Sequence, residues 1–308
     1  MKKITLLDLF SGIGGFHLGL KKAGFKIKSY NSEIDKYAID CYKYNFKDSK
    51  YVGSIKDVSG SQLPRINGIT FGSPCQDFSI AGDRKGMDGK RSSLIIEAIR
   101  LIKECRPDFF IWENVKGTYS SNSGEDFAAI LQAFTNVGGY RLEWQLLNTS
   151  WFLPQNRERI YLVGYTGERS GREVFPIGKN DQKTKQLQRQ QAHANTITKN
   201  YAGIGNGSYV IEREQQKAEV GDFRYDEGYR IRKDGICPTL HTKTKEKLFI
   251  NKTRRLTPIE CERLQGFPDD WTKQGTKGII SDSQRYKLLG NAVTVDVVEA
   301  VAQKIIKL

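Results

Sequence analysis

No apolar run in this 308-residue chain approaches the roughly 20 residues needed to cross a membrane, and no leader pattern follows Met1. A cytoplasmic location is the expectation. Histidine is scarce, with only His17, His193 and His241. The five cysteines (Cys41, Cys75, Cys105, Cys237, Cys261) are odd in number, dispersed and never spaced Cys-x-x-Cys. Those shortages argue against a disulfide framework, a structural zinc site and any metal-dependent mechanism. Acidic residues are in deficit too: 35 Asp and Glu face 49 Lys and Arg, a formal net charge of +14 with pI near 9.4. So basic a chain is suited to a polyanion, and nucleic acid is the default partner.

The surplus is uneven. From Tyr165 to Arg255 about 19 Lys and Arg stand against 11 Asp and Glu, so that stretch alone carries about +8. Generic surface lysine is the bland alternative. The concentration of charge where fold signals are weakest favours a binding insertion.

The first 165 residues alternate strand and helix patterns. Residues 4–9 read as a buried strand, followed by a glycine turn and a helix over 16–22 that Gly24 ends. Strand 25–30, helix 36–44, an extended piece at 51–55 and strand 67–71 come next. A helix over 92–104 carries Leu94, Ile95, Ile99 and Ile102 on one face, and Pro107 stops it. Strand 108–112, helix 126–134 and strands 140–147 and 159–163 complete the set. This succession predicts an α/β fold: a doubly wound, mostly parallel sheet with helices on both faces. Residues 1–166 form that domain. Residues 167–251 turn polar, Gly-rich and irregular, with short strand-like pieces at 194–198 and 237–241 and a solvated run at 181–191. They predict a smaller second domain. Regular structure returns over 252–308 with a capped helix after Thr257 and helices over 283–289 and 293–306, a segment expected to finish the small domain and pack back on the first.

Two local patterns carry chemistry. Strand 67–71 runs into Gly72-Ser73-Pro74-Cys75-Gln76, a turn that delivers a thiol at a strand end. An exposed cysteine near cations becomes a reactive thiolate, although an isolated Pro-Cys-Gln is more often simply a buried cysteine. The other is Asp8-Leu9-Phe10-Ser11-Gly12-Ile13-Gly14-Gly15, which follows the first strand and opens a helix, so backbone can approach a ligand at the helix N-terminus. Glu33, at the end of the second strand, is placed to accept from both hydroxyls of a ribose. The third glycine of a dinucleotide fingerprint is missing, replaced by Phe16-His17-Leu18. An adenosyl ligand without phosphate, such as S-adenosylmethionine, fits better than NAD.

Further motifs occur in order: Glu113-Asn114-Val115-Lys116, Gln155-Asn156-Arg157-Glu158-Arg159, Arg254-Arg255-Leu256-Thr257-Pro258-Ile259-Glu260-Cys261, Gln265-Gly266-Phe267-Pro268 and Leu289-Gly290-Asn291-Ala292-Val293. With Cys75 and the glycine turn, the chain resembles the bacterial and phage DNA (cytosine-5)-methyltransferases. The likeness reaches both ends and lapses only in the middle, where that family is variable and reads its target. It implies the S-adenosylmethionine-dependent methyltransferase fold, with 167–251 as target-recognition domain.

The resemblance also implies roles. Carbon 5 of cytosine is a poor nucleophile and is activated by addition at carbon 6, which makes Cys75 the nucleophile. Glu113 would protonate or hydrogen-bond ring nitrogen 3 from a dry pocket. Arg159 resembles the residue that grips the base oxygen, and Arg157 the one that braces the site. Phe10, Gly12, Ile13, Gly15, Glu33, Ile34, Ile55, Gly72, Pro74, Leu94, Asn291 and Ala292 would line the methyl-donor pocket. Two departures stand out. Ile34 replaces the usual aromatic, so adenine would pack on an aliphatic face. Gly53-Ser54-Ile55 replaces Gly-Asp-Ile, which leaves Ser54 or Asp57 to meet the adenine amine. The base that removes the carbon 5 proton is not named by these residues; a water is one candidate.

The target base must flip out of the duplex to be reached. The segment 81–91, with three glycines and Arg84, Lys85, Lys90 and Arg91, looks like a loop that closes over it. Ser79, Arg84, Lys85, Arg91 and Arg230 are the expected DNA contacts. Arginine suits guanine, but a phosphate contact for Arg230 is as good a reading. Double-stranded DNA is the expected substrate, with no metal, no membrane, a monomeric state and a companion restriction endonuclease as candidate partner. Restriction–modification or phage protection is the expected setting. A tRNA cytosine-5 methyltransferase is the nearest rival, disfavoured by the roughly 85 residues available for recognition. A non-catalytic DNA-binding regulator is the rival of another class, and would need none of Cys75, Glu113 and Arg159.

Overall fold

The computed structural model describes residues 2–73, 94–166, 173–178 and 256–308 with their side chains, and the backbone of strands at 209–213, 216–224, 228–231 and 252–255. The main sheet comprises β1 (Lys3–Leu9), β2 (Lys26–Ser32), β3 (Lys50–Tyr51), β4 (Gly68–Gly72), β5 (Phe109–Val115), β6 (Arg141–Asn148) and β7 (Glu158–Tyr165), in the order β3-β2-β1-β4-β5-β7-β6. The pairs from β3 through β5 are parallel. Strand β7 is antiparallel to both β5 and β6. The doubly wound, mostly parallel sheet expected from the sequence is present.

Both faces of the sheet are buried, so successive residues of each central strand serve opposite cores. Leu7 and Leu9 of β1, Phe110 and Trp112 of β5, and Ile160 and Leu162 of β7 join one cluster. Ile4 and Leu6, Phe109 and Ile111, and Tyr161 and Val163 join the other. The first face is covered by α3 (Leu94–Cys105) and α5 (Glu125–Thr135), through Ile95, Ile99, Ile102, Phe127, Ile130 and Phe134. Between these helices in sequence lies the short α4 (Gly117–Ser120). The second face is covered by α1 (Gly15–Lys22) and by a helix from the far end of the chain, Val295–Ile305. Those two helices approach so closely that a Cβ at Gly19 would sit 2.6 Å from Val298.

The return segment starts at α6 (Pro258–Leu264), which begins on a capping box. Thr257 Oγ1 accepts from Glu260 N (3.3 Å) and Glu260 Oε2 from Thr257 N (2.7 Å). Helix α7 (Asp282–Asn291) and α8 (Val295–Ile305) follow. Together with α2 (Lys36–Asn45), α6 and α7 enclose a third cluster built on Cys41, Tyr42, Phe46, Cys261, Leu264 and Leu289.

Several local expectations are corrected. The extended piece over 51–55 shrinks to Lys50–Tyr51, because Gly53 turns at φ +90° and Asp57 N donates back to Ser54 O (2.9 Å). A small hairpin, β12 (Gln274–Gly275) with β13 (Gly278–Ile279), and α4 carry too few residues for a periodic signal. Where only irregular pieces were read, β8 (Tyr209–Arg213), β9 (Gln216–Arg224), β10 (Gly228–Ile231) and β11 (Lys252–Arg255) make an antiparallel sheet in the order β10-β9-β8-β11. The sequence Gln-Lys-Ala-Glu-Val-Gly-Asp-Phe-Arg of β9 has no strict apolar alternation, which hid it. Residues 173–178 lie along edge strand β6, where Gln145 receives Ile177 N (2.8 Å) and Glu143 receives Val174 N (2.9 Å). The pieces at 181–191, 194–198 and 237–241 fall outside the described residues.

The fully buried Glu262 of α6 is paired with Arg285 Nη2 of α7 at 3.0 Å and accepts from Thr272 N at 2.8 Å. Removing one partner of such a pair leaves an uncompensated buried charge. Arg285→Ala should therefore destabilise the protein by about 3–5 kcal/mol in urea unfolding. A loss within about 0.5 kcal/mol, the range of ordinary surface substitutions, would refute a structural role for the pair.

Candidate active site

Strands β1, β2, β4 and β5 end on one edge of the sheet, and the antiparallel β7 begins there. At β1 the connections diverge, one way to β2 and the other to β4, and such a switch point is where open α/β sheets take their ligands.

The turn after β1 is unusual in its backbone. Phe10, Gly12 and Gly14 all lie in the left-handed region, at φ +50°, +52° and +87°. For a phenylalanine that conformation is strained by about 1–3 kcal/mol and persists only where the surroundings enforce it. Ser11 N donates to Ser32 O (3.1 Å), Gly12 N to Glu33 Oε2 (2.9 Å) and Gly14 N to Ser11 O (2.9 Å). Glu33 is fixed in turn: its Oε1 accepts from Ile34 N (2.7 Å) and Asp35 N (3.0 Å), and its backbone oxygen from Tyr51 Oη (2.9 Å). Oε2 takes a single N–H, which leaves it acceptor capacity for a ligand hydroxyl.

Beside that carboxylate Ile34 stands 77% exposed, an apolar side chain unusually open for its size. Phe10 and Leu94 pack on the cluster that contains Ile55. Ile55 is itself buried. Ile13 is different, with its side chain sunk in the third cluster and its carbonyl taken by Trp271 Nε1 (3.0 Å). What Ile13 can offer a ligand is its N–H. Gly15 answers a packing demand, since a Cβ there would lie 2.7 Å from Val293 Cγ2. Ser54 Oγ accepts from Lys56 N (3.4 Å), while Asp57 is exposed. The donor set of preset carboxylate, backbone N–H groups at a helix start and exposed aliphatic face fits an adenosyl group.

On the other side of the switch point, Gly72 of β4 pairs with Glu113 of β5, and Val115 pairs with Arg159 of β7. Glu113 Oε1 meets Arg159 Nε at 3.2 Å, both side chains being largely buried. Gly72 makes room for the carboxylate, because a Cβ there would be 3.0 Å from Glu113 Oε2. Arg157 is buried and donates through Nη2 to Ala292 O (2.9 Å) and, at longer range, to Gly290 O (3.5 Å). Burial, then the neighbouring Arg159 charge, push the Arg157 guanidinium below its usual range. The turn it grips is held again by Gln265, whose Nε2 donates to Leu289 O (3.1 Å). Ala292 is buried there and Asn291 is exposed.

Some participants gave no sequence signal. Trp112 Nε1 donates to Ser73 Oγ (3.1 Å) and Asn114 Nδ2 to Ser73 O (3.2 Å), so the residues flanking Glu113 hold the chain two positions before Cys75. Beneath the glycine turn, Asp8 is fully buried, accepting from Thr70 Oγ1 (2.8 Å) and Tyr42 Oη (3.3 Å). Asp8 opens the glycine motif and Asn114 follows Glu113, but nothing in the sequence marks either as an anchor. Burial pushes the Asp8 carboxyl up to about 8, against the pull of the Thr70 and Tyr42 hydrogen bonds. Pro74, Cys75, Ser79, Arg84, Lys85, Lys90 and Arg91 lie outside the described residues. Arg230 lies on β10, its backbone opposite Asp222 of β9. Among the described residues no group of three His, Cys, Asp or Glu side chains is placed to hold a metal ion, and no helix is long and apolar enough to cross a membrane.

The family model for C-5 cytosine-specific DNA methylase matches residues 4–307. The type II methyltransferase M1.ScrFI of Lactococcus lactis subsp. cremoris is 34% identical over 99% of this chain and 78% of its own length. The type II methyltransferase M.HaeII of Haemophilus aegyptius is 33% identical over 99% and 94%. Among solved structures, the S. pombe Dnmt2 methyltransferase superposes with a TM-score of 0.67 at 20% identity, covering 99% of each chain. The fold is thus a methyltransferase fold.

Asp8 makes stability pH-dependent. Below about pH 4 its carboxyl is neutral in folded and unfolded chains alike. Between about pH 4 and pH 8 the unfolded chain releases the proton and the folded chain keeps it, so native stability falls as pH rises through that window. Asp8→Asn should flatten the fall, by several kcal/mol at most. Urea unfolding of both proteins at pH 5 and pH 8 measures it, and equal losses in the two would count against a proton held on Asp8.

Proposed function

This chain belongs to the C-5 cytosine-specific DNA methylase family and is a DNA cytosine-5 methyltransferase; we propose that it attacks a flipped cytosine through Cys75, with S-adenosylmethionine as methyl donor. The observation that carries this reading is the buried Glu113–Arg159 pair, set in register beside Gly72, three residues before the cysteine.

The chain's own groups divide the work. The Cys75 thiolate adds to carbon 6, forming a carbon–sulfur bond and sending an electron pair toward ring nitrogen 3 and the carbonyl oxygen. Glu113 meets nitrogen 3, and Arg159 meets the oxygen where charge accumulates. Arg157 acts at one remove by tying the start of β7 to the Gly290–Ala292 turn. The ligand's ribose hydroxyls would rest on Glu33, its adenine on Ile34, and the Phe10–Gly15 turn would take the remainder. When bound, S-adenosylmethionine supplies the electrophilic methyl group that carbon 5 of the activated ring takes up. Loss of the carbon 5 proton then returns the electron pair that breaks the carbon–sulfur bond and frees Cys75.

Double-stranded DNA is the substrate favoured by the family match along the whole chain, over the tRNA alternative. The relatives include type II methyltransferases and the orphan methyltransferase M.SPRI of Bacillus phage SPR, which supports a setting in restriction–modification or phage protection, with a companion endonuclease in the first case. The region 167–251 is assigned target recognition, with Arg230 as a DNA contact, and 252–308 the return to the catalytic body.

A fluorine at carbon 5 cannot leave as a proton does, so a duplex bearing 5-fluorocytosine in the recognised site should trap the protein as an adduct that survives denaturing electrophoresis, in the presence of donor. Cys75→Ser should abolish the adduct, and Glu113→Gln should slow methyl transfer by about 10²–10⁴-fold. Labelled methyl groups should pass to duplex DNA and not to tRNA. A protein that methylates DNA without ever forming the adduct would overturn the mechanism.

A further inference from the structure

The strained turn from Phe10 to Gly15 has a fixed point on each side, and both are tied to one atom. Before the turn, Asp8 on β1 is anchored by Thr70 Oγ1 of β4 and by the Tyr42 hydroxyl of α2 (3.3 Å). After the turn, His17 Nδ1 of α1 lies 3.0 Å from the same hydroxyl. Tyr42 and Phe46 also fill the space under the turn. A Cβ at Gly14 would sit 3.1 Å from Tyr42 Cε2 and 2.3 Å from Phe46 Cε2, and Phe46 stacks on the His17 ring at 3.8 Å. Asp8 and Tyr42 are wholly buried and His17 nearly so, and burial holds His17 neutral by pushing its pKa down to about 3.

The three groups form one directed chain: His17 Nδ1–H donates to Tyr42 Oη, and the Tyr42 hydroxyl donates to Asp8 Oδ2, while Thr70 Oγ1 donates to Asp8 Oδ1. Three buried polar side chains would be an expensive way to fill a core that apolar residues could fill. Their arrangement makes sense as a staple across a turn that must hold a left-handed phenylalanine.

We propose that Tyr42 is a positioning residue of the methyl-donor site, its hydroxyl joining Asp8 to His17 and thereby fixing both ends of the Phe10–Gly15 turn for the adenosyl ligand. This rests on the reading of that turn as the donor site. Being buried, Tyr42 acts through the turn's backbone.

The test is calorimetric titration of the full-length protein with S-adenosylhomocysteine, well below the unfolding temperature of every variant. Tyr42→Phe keeps the ring and removes the hydroxyl, and should weaken binding about tenfold, the equivalent of one net hydrogen bond. Asp8→Ala should do the same, with little further loss in the double variant, because both cut one chain. Asp8→Asn still accepts from Thr70 and can donate its amide N–H to Tyr42, reversing the chain to His17, and should bind within about twofold of the unsubstituted protein. His17→Phe keeps the stack on Phe46, cuts only the helix-side bond, and should lose affinity in the same direction. A merely structural role would lower the melting temperature and leave these affinities alone, and wild-type affinity in Tyr42→Phe, or in His17→Phe should Tyr42→Phe not fold, overturns the proposal. Glu33→Ala separates the two readings: no loss of affinity there, or no binding by the unsubstituted protein, refutes the donor site itself, whereas a loss there alone refutes only the staple.

Discussion

Strand β7 runs against its neighbours, and the candidate site depends on that reversal. A strand parallel to β5 would deliver its first residues to the opposite edge of the sheet, some 20 Å from the ends of β1 and β4 for a strand of this length. Because β7 is antiparallel, Arg159 at its start and Arg157 just before it arrive at the end of β5 that carries Glu113. The arrangement is stable because β7 is also a core strand, with Ile160 and Leu162 serving one apolar cluster and Tyr161 and Val163 the other. The alternation that buries this strand is therefore what fixes the positions of its arginines.

Preorganisation follows from the same register. Arg159 and Glu113 are held against each other in a largely water-excluded place, so both side chains are already ordered. Glycine is required where two backbones or a backbone and a carboxylate must share space, and Gly72 is the case that matters for chemistry. The neighbouring Trp112 and Asn114 turn to the other side and hold Ser73. One strand, by its period of two, thus presents Glu113 on one side and anchors the approach to Cys75 on the other.

Much of this was legible in the sequence. Central strands buried on both faces must be continuous apolar runs, and the runs around Leu6, Phe71, Ile111 and Val163 stand out. The glycine turn and Glu33 could be picked out from their own pattern, whereas Glu113, Arg157 and Arg159 were marked by motifs of the family that the chain resembles. What stayed hidden lacks either period or length. Asp8, Tyr42 and His17 meet only after three elements fold together, and a polar residue in a core has no sequence signature of its own. Ile13 sits within the glycine motif, yet its side chain packs in the third cluster and its carbonyl is taken by Trp271, 258 positions away. The strands at 209–224 carry charge without strict alternation, so the composition of that stretch concealed its sheet.

Contacts of that span show why the last fifty residues belong to the site as much as the first hundred. The Gly290–Ala292 turn receives Arg157 from just before β7, Gln265 steadies it from the end of α6, and Thr294 bonds Thr149 (2.9 Å), just after β6. Lys287 of α7 reaches Asp35 (2.6 Å), the residue that caps α2 and donates its N–H to Glu33. Helix α8 meanwhile covers the apolar face beside α1 that would otherwise lie open. Glu33, through Asp35, and Arg157, through the Gly290–Ala292 turn, are therefore both tied to one C-terminal unit.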